Sequence, residues 1–234
     1  YDEERVHIAA GQTWAAARQA RDDEAARLCI EYADAGVYVL DLRLHPRERI
    51  RWLEDQLAAA RRLQQRSMEG NALGNLGLAY ANLGETRKAI EFYEQALVID
   101  RESGDRRGEG STMGNLGVAY KNLGETRKAI EFYELALGIA REIGDRRGEG
   151  NAVCNLGSAY ADLGETRKAI EFFEQALVID REIGDRRGEG TDLWNLSLSL
   201  DKLGERAQAI AHAEAALRIR EEIEDPKAEK VRRQ

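Results

Sequence analysis

Four asparagines, Asn75, Asn115, Asn155 and Asn195, recur every 40 residues and are the side chains of this sequence best placed to do chemistry. That chemistry is recognition. A carboxamide both donates and accepts hydrogen bonds, so a row of them can pair with the backbone of an extended segment, or with a helix's side chains, without demanding one sequence. Arg107, Arg147 and Arg187 recur at the same interval. A guanidinium grips a carboxylate with two parallel N–H donors, which favours an acidic ligand segment. The plainer alternative is that the Asn residues tie neighbouring helices together and the Arg residues are solvated or paired to nearby Glu. Catalytic chemistry has less to stand on. His7, His45 and His212 share no ligand spacing, so neither a metal site nor a triad is expected. The glycine-rich stretch at Glu109 to Gly114 follows no strand and has no Gly-Lys-Ser ending, so it is not read as a nucleotide loop. No residue stands out as nucleophile or base, and no cofactor is expected.

The elements that position these residues come from a repeat. Gly70 to Glu109 matches Gly150 to Glu189 at 34 of 40 positions and Gly110 to Glu149 at 31, and a looser copy runs from Gly190 to Glu229. An array of one unit reads as a solenoid. Each unit holds two helical patterns. The first is expected from about Arg106 to Leu123, capped by Asp105, and the break that follows is Gly124-Glu125-Thr126. The second is expected from Thr126 to Ile143, with Ala129, Ile130, Tyr133, Ala136, Leu137 and Ile139 on one apolar side. The two prolines, Pro46 and Pro226, both fall where a helix can begin. The fold class is therefore all-α, an α-solenoid of antiparallel helix pairs.

At 100 degrees per residue the first helix of the second unit has two faces. Met113, Leu116, Gly117, Ala119, Tyr120 and Leu123 pack, while Arg107, Ser111, Gly114, Asn115, Val118, Lys121 and Asn122 point the other way. The equivalent open positions are Asn71, Asn75, Leu78 and Asn82 in the first unit and Arg147, Asn151, Asn155, Ser158 and Asp162 in the third. In the fourth they are Arg187, Thr191, Asn195, Leu198 and Lys202, with Trp194 in place of the small residue at Gly74, Gly114 and Cys154. Glycine costs about 1 kcal/mol in a helix interior relative to Ala, so Gly108, Gly110, Gly114 and Gly117 are read as permitting tight stacking.

Upstream, residues 1–29 read as two N-terminal helices with apolar Val6, Ile8, Trp14, Ala17, Ala25, Leu28 and Ile30 and a break at Arg21 to Asp23. Residues 30–69 read as a degenerate helix pair, since sliding by 40 sets Ile50 on Ile90, Trp52 on Phe92 and Leu57 on Leu97. Units follow at 70–109, 110–149, 150–189 and 190–229, the last a degenerate cap, with a tail at 230–234.

The units resemble the tetratricopeptide repeat. Its pattern is met by Leu76, Gly77, Tyr80, Gly84, Ala89, Tyr93 and Ala96, and again by Leu116, Gly117, Tyr120, Gly124, Ala129, Tyr133 and Ala136. It recurs at Leu156, Gly157, Tyr160, Gly164, Ala169, Phe173 and Ala176. The fourth copy departs from it, with Ser197, Leu200 and Ala213 at the Gly, Tyr and aromatic positions. The long unit is similar to those of Pins-type scaffolds, kinesin light chains and, most closely, the repeat arms of bacterial signal-transduction NTPases of the NB-ARC class. The resemblance implies a right-handed superhelix whose concave groove binds a partner's peptide or helix. It assigns to that groove Asn71, Asn75, Asn82, Arg107, Asn115, Asn122, Arg147, Asn151, Asn155, Arg187 and Asn195.

Composition sets bounds on partners. A formal net charge of -8 disfavours nucleic acid and anionic membrane, and no apolar run approaches the ~18 residues of a membrane span. Two isolated cysteines, Cys29 and Cys154, suit a reducing compartment, which makes cytoplasm the expectation. The opening YDEERVHIAA lacks both Met and a signal-peptide layout, and reads as a piece of something longer. The functional expectation is a non-catalytic protein-binding scaffold, the sensor arm of a larger signalling ATPase. The alternative is a self-associating structural module, and an enzyme is the weakest reading.

Overall fold

The computed structural model of the chain describes residues 2–40 and 46–223. These residues hold eleven α-helices and no strand. They are α1 (Asp2–Arg18), α2 (Asp23–Leu40), α3 (Pro46–Arg62), α4 (Arg66–Asn82), α5 (Thr86–Ser103), α6 (Arg106–Asn122), α7 (Thr126–Glu142), α8 (Arg146–Asp162), α9 (Thr166–Ile183), α10 (Arg186–Lys202) and α11 (Arg206–Glu222). The chain divides into two compact units, Tyr1–Gly108 and Glu109–Gln234. Within each, helices pack on their sequence neighbours as the stacked pairs of an α-solenoid.

Local chemistry sets the helix ends. Asp105, Asp145 and Asp185 accept the backbone N–H of Gly108, Gly148 and Gly188 at 2.9, 3.0 and 2.9 Å, satisfying a donor the helix itself cannot. The first helix of each pair stops at Gly84, Gly124, Gly164 or Gly204, whose φ of +78° to +81° only glycine adopts at little cost. Asp22 caps α2 through the N–H groups of Glu24 and Ala25, and α3 begins at Pro46. Helix α2 runs on to Leu40, across the expected division at residues 29–30. Pro226 lies outside the described residues.

The core is built from the expected faces. In the first unit Ile50, Leu53 and Leu57 of α3 pack with Ala72, Leu73, Leu76 and Ala79 of α4 and with Ala96 and Ile99 of α5. In the second, Tyr133 and Phe173 are 0% and 2% exposed, and each ring lies on the glycine of its own pair. A Cβ at Gly117 would stand 2.4 Å from Tyr133 Cε1, and one at Gly157 would stand 2.7 Å from Phe173 Cε1. The aromatic therefore fills the crossing within a pair, rather than a gap between units. Two further contacts recur beside it. Tyr80 stacks on Phe92, Tyr120 on Phe132 and Tyr160 on Phe172, with centroids 5.3–5.4 Å apart. Lys88, Lys128 and Lys168 each lie over the same tyrosine at 5.0, 3.8 and 3.8 Å, a cation–π contact.

Several expectations are corrected. Gly114 has nothing within 4 Å of its Cβ position, so it permits no stacking. Leu123 is 38% exposed, because it follows the last turn of α6. Trp14 and Ile8 are 45% and 36% exposed, Ala17 also faces solvent, and the buried residues are instead Gln12 and Ala15 of α1 and Gln19 of the turn that follows it. Gln12 and Gln19 donate to Asp55 of α3. Three glutamates at equivalent positions, Glu69, Glu149 and Glu189, are buried. Each is held by two arginines. Glu69 accepts from Arg61 of α3 at 2.9 Å and from Arg66 at 2.8 Å, and Arg66 continues to Glu102 of α5 at 2.5 Å. The same chain runs Arg141–Glu149–Arg146–Glu182 and Arg181–Glu189–Arg186–Glu222. It links three successive helices each time. Burial pushes these Glu carboxyls up, but their arginine hydrogen bonds outweigh it and hold them below the usual range.

Candidate binding face and an acid pocket

The side of each first helix opposite its buried stripe carries the amides. Asn71 and Asn82 of α4, Asn115 and Asn122 of α6 and Asn151 of α8 are exposed, and Asn75, Asn155 and Asn195 are half-buried. None of them except Asn195 makes a side-chain hydrogen bond within the described residues. Asn195 offers its Nδ2 to Cys154 Sγ at 3.9 Å, a weak contact between α10 and α8. A stronger tie between first helices is made by Lys121 of α6, which bonds Ser158 of α8 and lies 3.4 Å from Asp162.

The arginines differ among themselves. Arg147 pairs with Asp185 at 3.3 Å while 69% of its side chain stays exposed. Arg187 is exposed and makes no ion pair within the described residues. Arg107 is exposed as well. Trp194 is half-buried, with the Arg220 guanidinium 5.9 Å from its ring centroid.

In the second unit the structure brings Asn151 and Arg187 together around a pocket of about 230 Å³. Gly150, Asn151 and Cys154 of α8 form one wall, Asp180 of α9 and Asp185 another, and Arg187, Gly188, Thr191 and Asp192 of α10 the third. Asp192 is 1% exposed and Asp180 8%. Burial, and then the charge of Asp185, push Asp180 up to about 6. Burial first, partly offset by the Cys154 thiol and reinforced by Asp180, pushes Asp192 up to about 7. Burial beside Asp192 lifts the Cys154 thiol well above its ordinary range. Both cysteines are free thiols. Sequence reasoning missed this carboxyl pair. The signal was Asp192 itself, a charged residue at a position held by Ala72, Thr112 and Ala152 in the other units. No group of His, Cys, Asp and Glu among the described residues is arranged to hold a metal ion, and none of their helices is long and apolar enough to cross a membrane.

A family profile described as "Tetratricopeptide repeat" matches residues 68–142 and 148–222. No curated protein matches the chain. Among solved structures, BtubC (BKLC) from P. vanneervenii is 20% identical with a TM-score of 0.79, over 96% of this chain and 92% of that one. A signal-transduction ATPase (STAND) protein with a tetratricopeptide repeat sensor, from Pyrococcus horikoshii, is 22% identical with a TM-score of 0.72, over 90% of this chain and 32% of its own. A Rap protein complexed with Competence and Sporulation Factor is 18% identical with a TM-score of 0.72, over 86% and 56%. At these identities the likeness concerns the fold.

Proposed function

The chain belongs to the tetratricopeptide-repeat family, and on that premise we propose that it is a non-catalytic scaffold whose asparagine-bearing faces bind a peptide or helix of a protein partner. The observation that carries this reading is the free state of the amides. Asn71, Asn75, Asn82, Asn115, Asn122, Asn151 and Asn155 spend no side-chain hydrogen bond inside the described structure, so their donors and acceptors are available to a ligand backbone. Arg187, which has no carboxylate partner, gives the same face a grip for an acidic residue. The fold shared with a STAND sensor and with a factor-bound Rap protein supports a place as the sensor arm of a larger signalling ATPase. A photo-crosslinking residue at Asn155 should capture a partner, and one at Gln175 on α9 should not. Equal capture at both sites, or at neither, contradicts the proposal. Self-association is the second reading, favoured by Leu135 and Val178, which are 52% and 63% exposed on the second helices. A monomer by light scattering at high concentration would remove it.

A further inference from the structure

The pocket between α8, α9 and α10 contains two carboxyl groups that the repeat itself does not require. Asp192 replaces the Ala or Thr of the other units, and Asp180 stands where the second unit has Ala140. Neither buried oxygen of Asp192 receives a hydrogen bond from a strong donor of the chain; its polar neighbours are the Cys154 thiol, a weak donor, and the Asp180 carboxyl, a second acid. A buried carboxyl left in that state is costly, and a feature of this kind calls for a partner outside the chain. The nearby cations do not supply it: Arg147 is engaged by Asp185, and the Arg187 side chain, on the pocket wall, is exposed. Glycine keeps the wall open, because a Cβ at Gly188 would lie 2.0 Å from Asp180 Oδ2.

We propose that this pocket is a subsite for an alkylammonium group, such as the lysine side chain of a bound segment. An ammonium brings three donors and a positive charge on a slender stem, which answers two adjacent carboxyls that have only a thiol and a proton of their own for donors. A metal ion fits less well, since no group of three ligating side chains is arranged for one among the described residues. The size agrees. At 230 Å³ the pocket has room for the end of a side chain, below the roughly 300–1,000 Å³ of whole-ligand sites. The inference deepens the binding-face reading and rests on it for the peptide source of the ammonium.

Entry of the cation has a proton signature. With Asp180 pushed up to about 6 and Asp192 to about 7, the pair is still partly protonated around neutral pH, under the influence of Cys154 and Arg147 from α8 and of Asp185 and Glu189 from the turn and α10. A cation favours the ionised form of both carboxyls, so binding expels that proton. The test uses the full chain with Nα-acetyl-lysine N-methylamide, its norleucine counterpart, and 1,5-diaminopentane. Binding is read from the amide NMR signals of Gly188 and Thr191 and by calorimetry in two buffers of different ionisation enthalpy. The lysine compound should shift both signals saturably with release of up to about one proton, and the norleucine compound should not. Asp192→Ala, which installs the residue of the first and third units, and the isosteric Asp192→Asn should each weaken binding at least tenfold and abolish proton release. Tighter binding of diaminopentane than of the lysine compound would identify the source as a free amine, and the reverse order a protein segment; either supports the subsite. No saturable shift up to tens of millimolar amine, equal shifts with norleucine, or unchanged binding in both folded variants would overturn it. The probes bypass the asparagines, so amine binding without partner capture sinks only the scaffold reading, and capture without amine binding sinks only the subsite.

Discussion

Gly114 and Gly117 lie three residues apart on α6, and replacing each by alanine should move stability in opposite directions. A Cβ at position 117 would meet Tyr133 Cε1 at 2.4 Å and Cδ1 at 2.6 Å, and Tyr133 is 0% exposed, so its ring has no free space to yield into. Overpacking a core costs about 1–3 kcal/mol, and an overlap this large belongs at the upper end. Against that stands the helix preference for Ala over Gly of about 1 kcal/mol, leaving a net loss of about 2 kcal/mol for Gly117→Ala. Position 114 has nothing within 4 Å, so Gly114→Ala keeps only the helix term and should gain up to about 1 kcal/mol. The chain makes related exchanges itself. Gly114 is matched by Cys154 and Trp194, whereas within the units at 70–229 Gly117 is matched by a larger residue only at Ser197, in the unit where the aromatic has become Ala213. Urea unfolding followed by far-ultraviolet circular dichroism measures both variants. In a Tyr133→Ala background, itself costing about 3–5 kcal/mol, Gly117→Ala should turn from loss to gain, a coupling that identifies the ring as the cause. A Gly117→Ala variant as stable as the parent, or a destabilised Gly114→Ala, would refute the reasoning.

Two further outcomes follow from the buried acids. Because its arginines depress the folded pKa of Glu149, the stabilisation from its charge is present above the unfolded value of about 4.3 and is lost as pH falls through the folded value. Glu149→Gln should therefore cost about 1–3 kcal/mol at neutral pH and leave a shallower loss of stability under acid, measured by unfolding from pH 7 to 3. The thiols give a second check: burial, with Asp55 adding to it, pushes Cys29 up to about 11, and Cys154 is raised by burial and then by Asp192. Neither should alkylate with iodoacetamide at pH 8 as fast as a free thiol, and Asp192→Ala should accelerate Cys154 while leaving Cys29 unchanged.

Helix order and helix ends were legible in the sequence because they depend on local chemistry. An Asp two residues before Arg-Gly and a Gly at each first-helix end act within one turn, and the 40-residue recurrence states them several times. The candidate face was legible by the same periodicity, since the angle around one helix separates Asn115 from Leu116. What escaped depends on which helices meet. Glu149 looks solvated in sequence, and its burial follows only when Arg141, eight residues earlier on α7, and Arg146 close over it. Gly114 and Gly117 are indistinguishable as glycines until Tyr133 is placed against one of them. Asp180 and Asp192 are twelve residues apart on different helices, so their pairing is a product of packing.

The claim that the asparagine faces bind a partner meets its most direct test in a pull-down from lysate of the source organism. The chain is compared with a variant in which Asn75, Asn115 and Asn155 are all alanine, after both are shown to have the same helicity and melting. A partner retained by the parent and lost by the variant is the expected result. The same partners on both would contradict it, because the amides would then contribute nothing to capture.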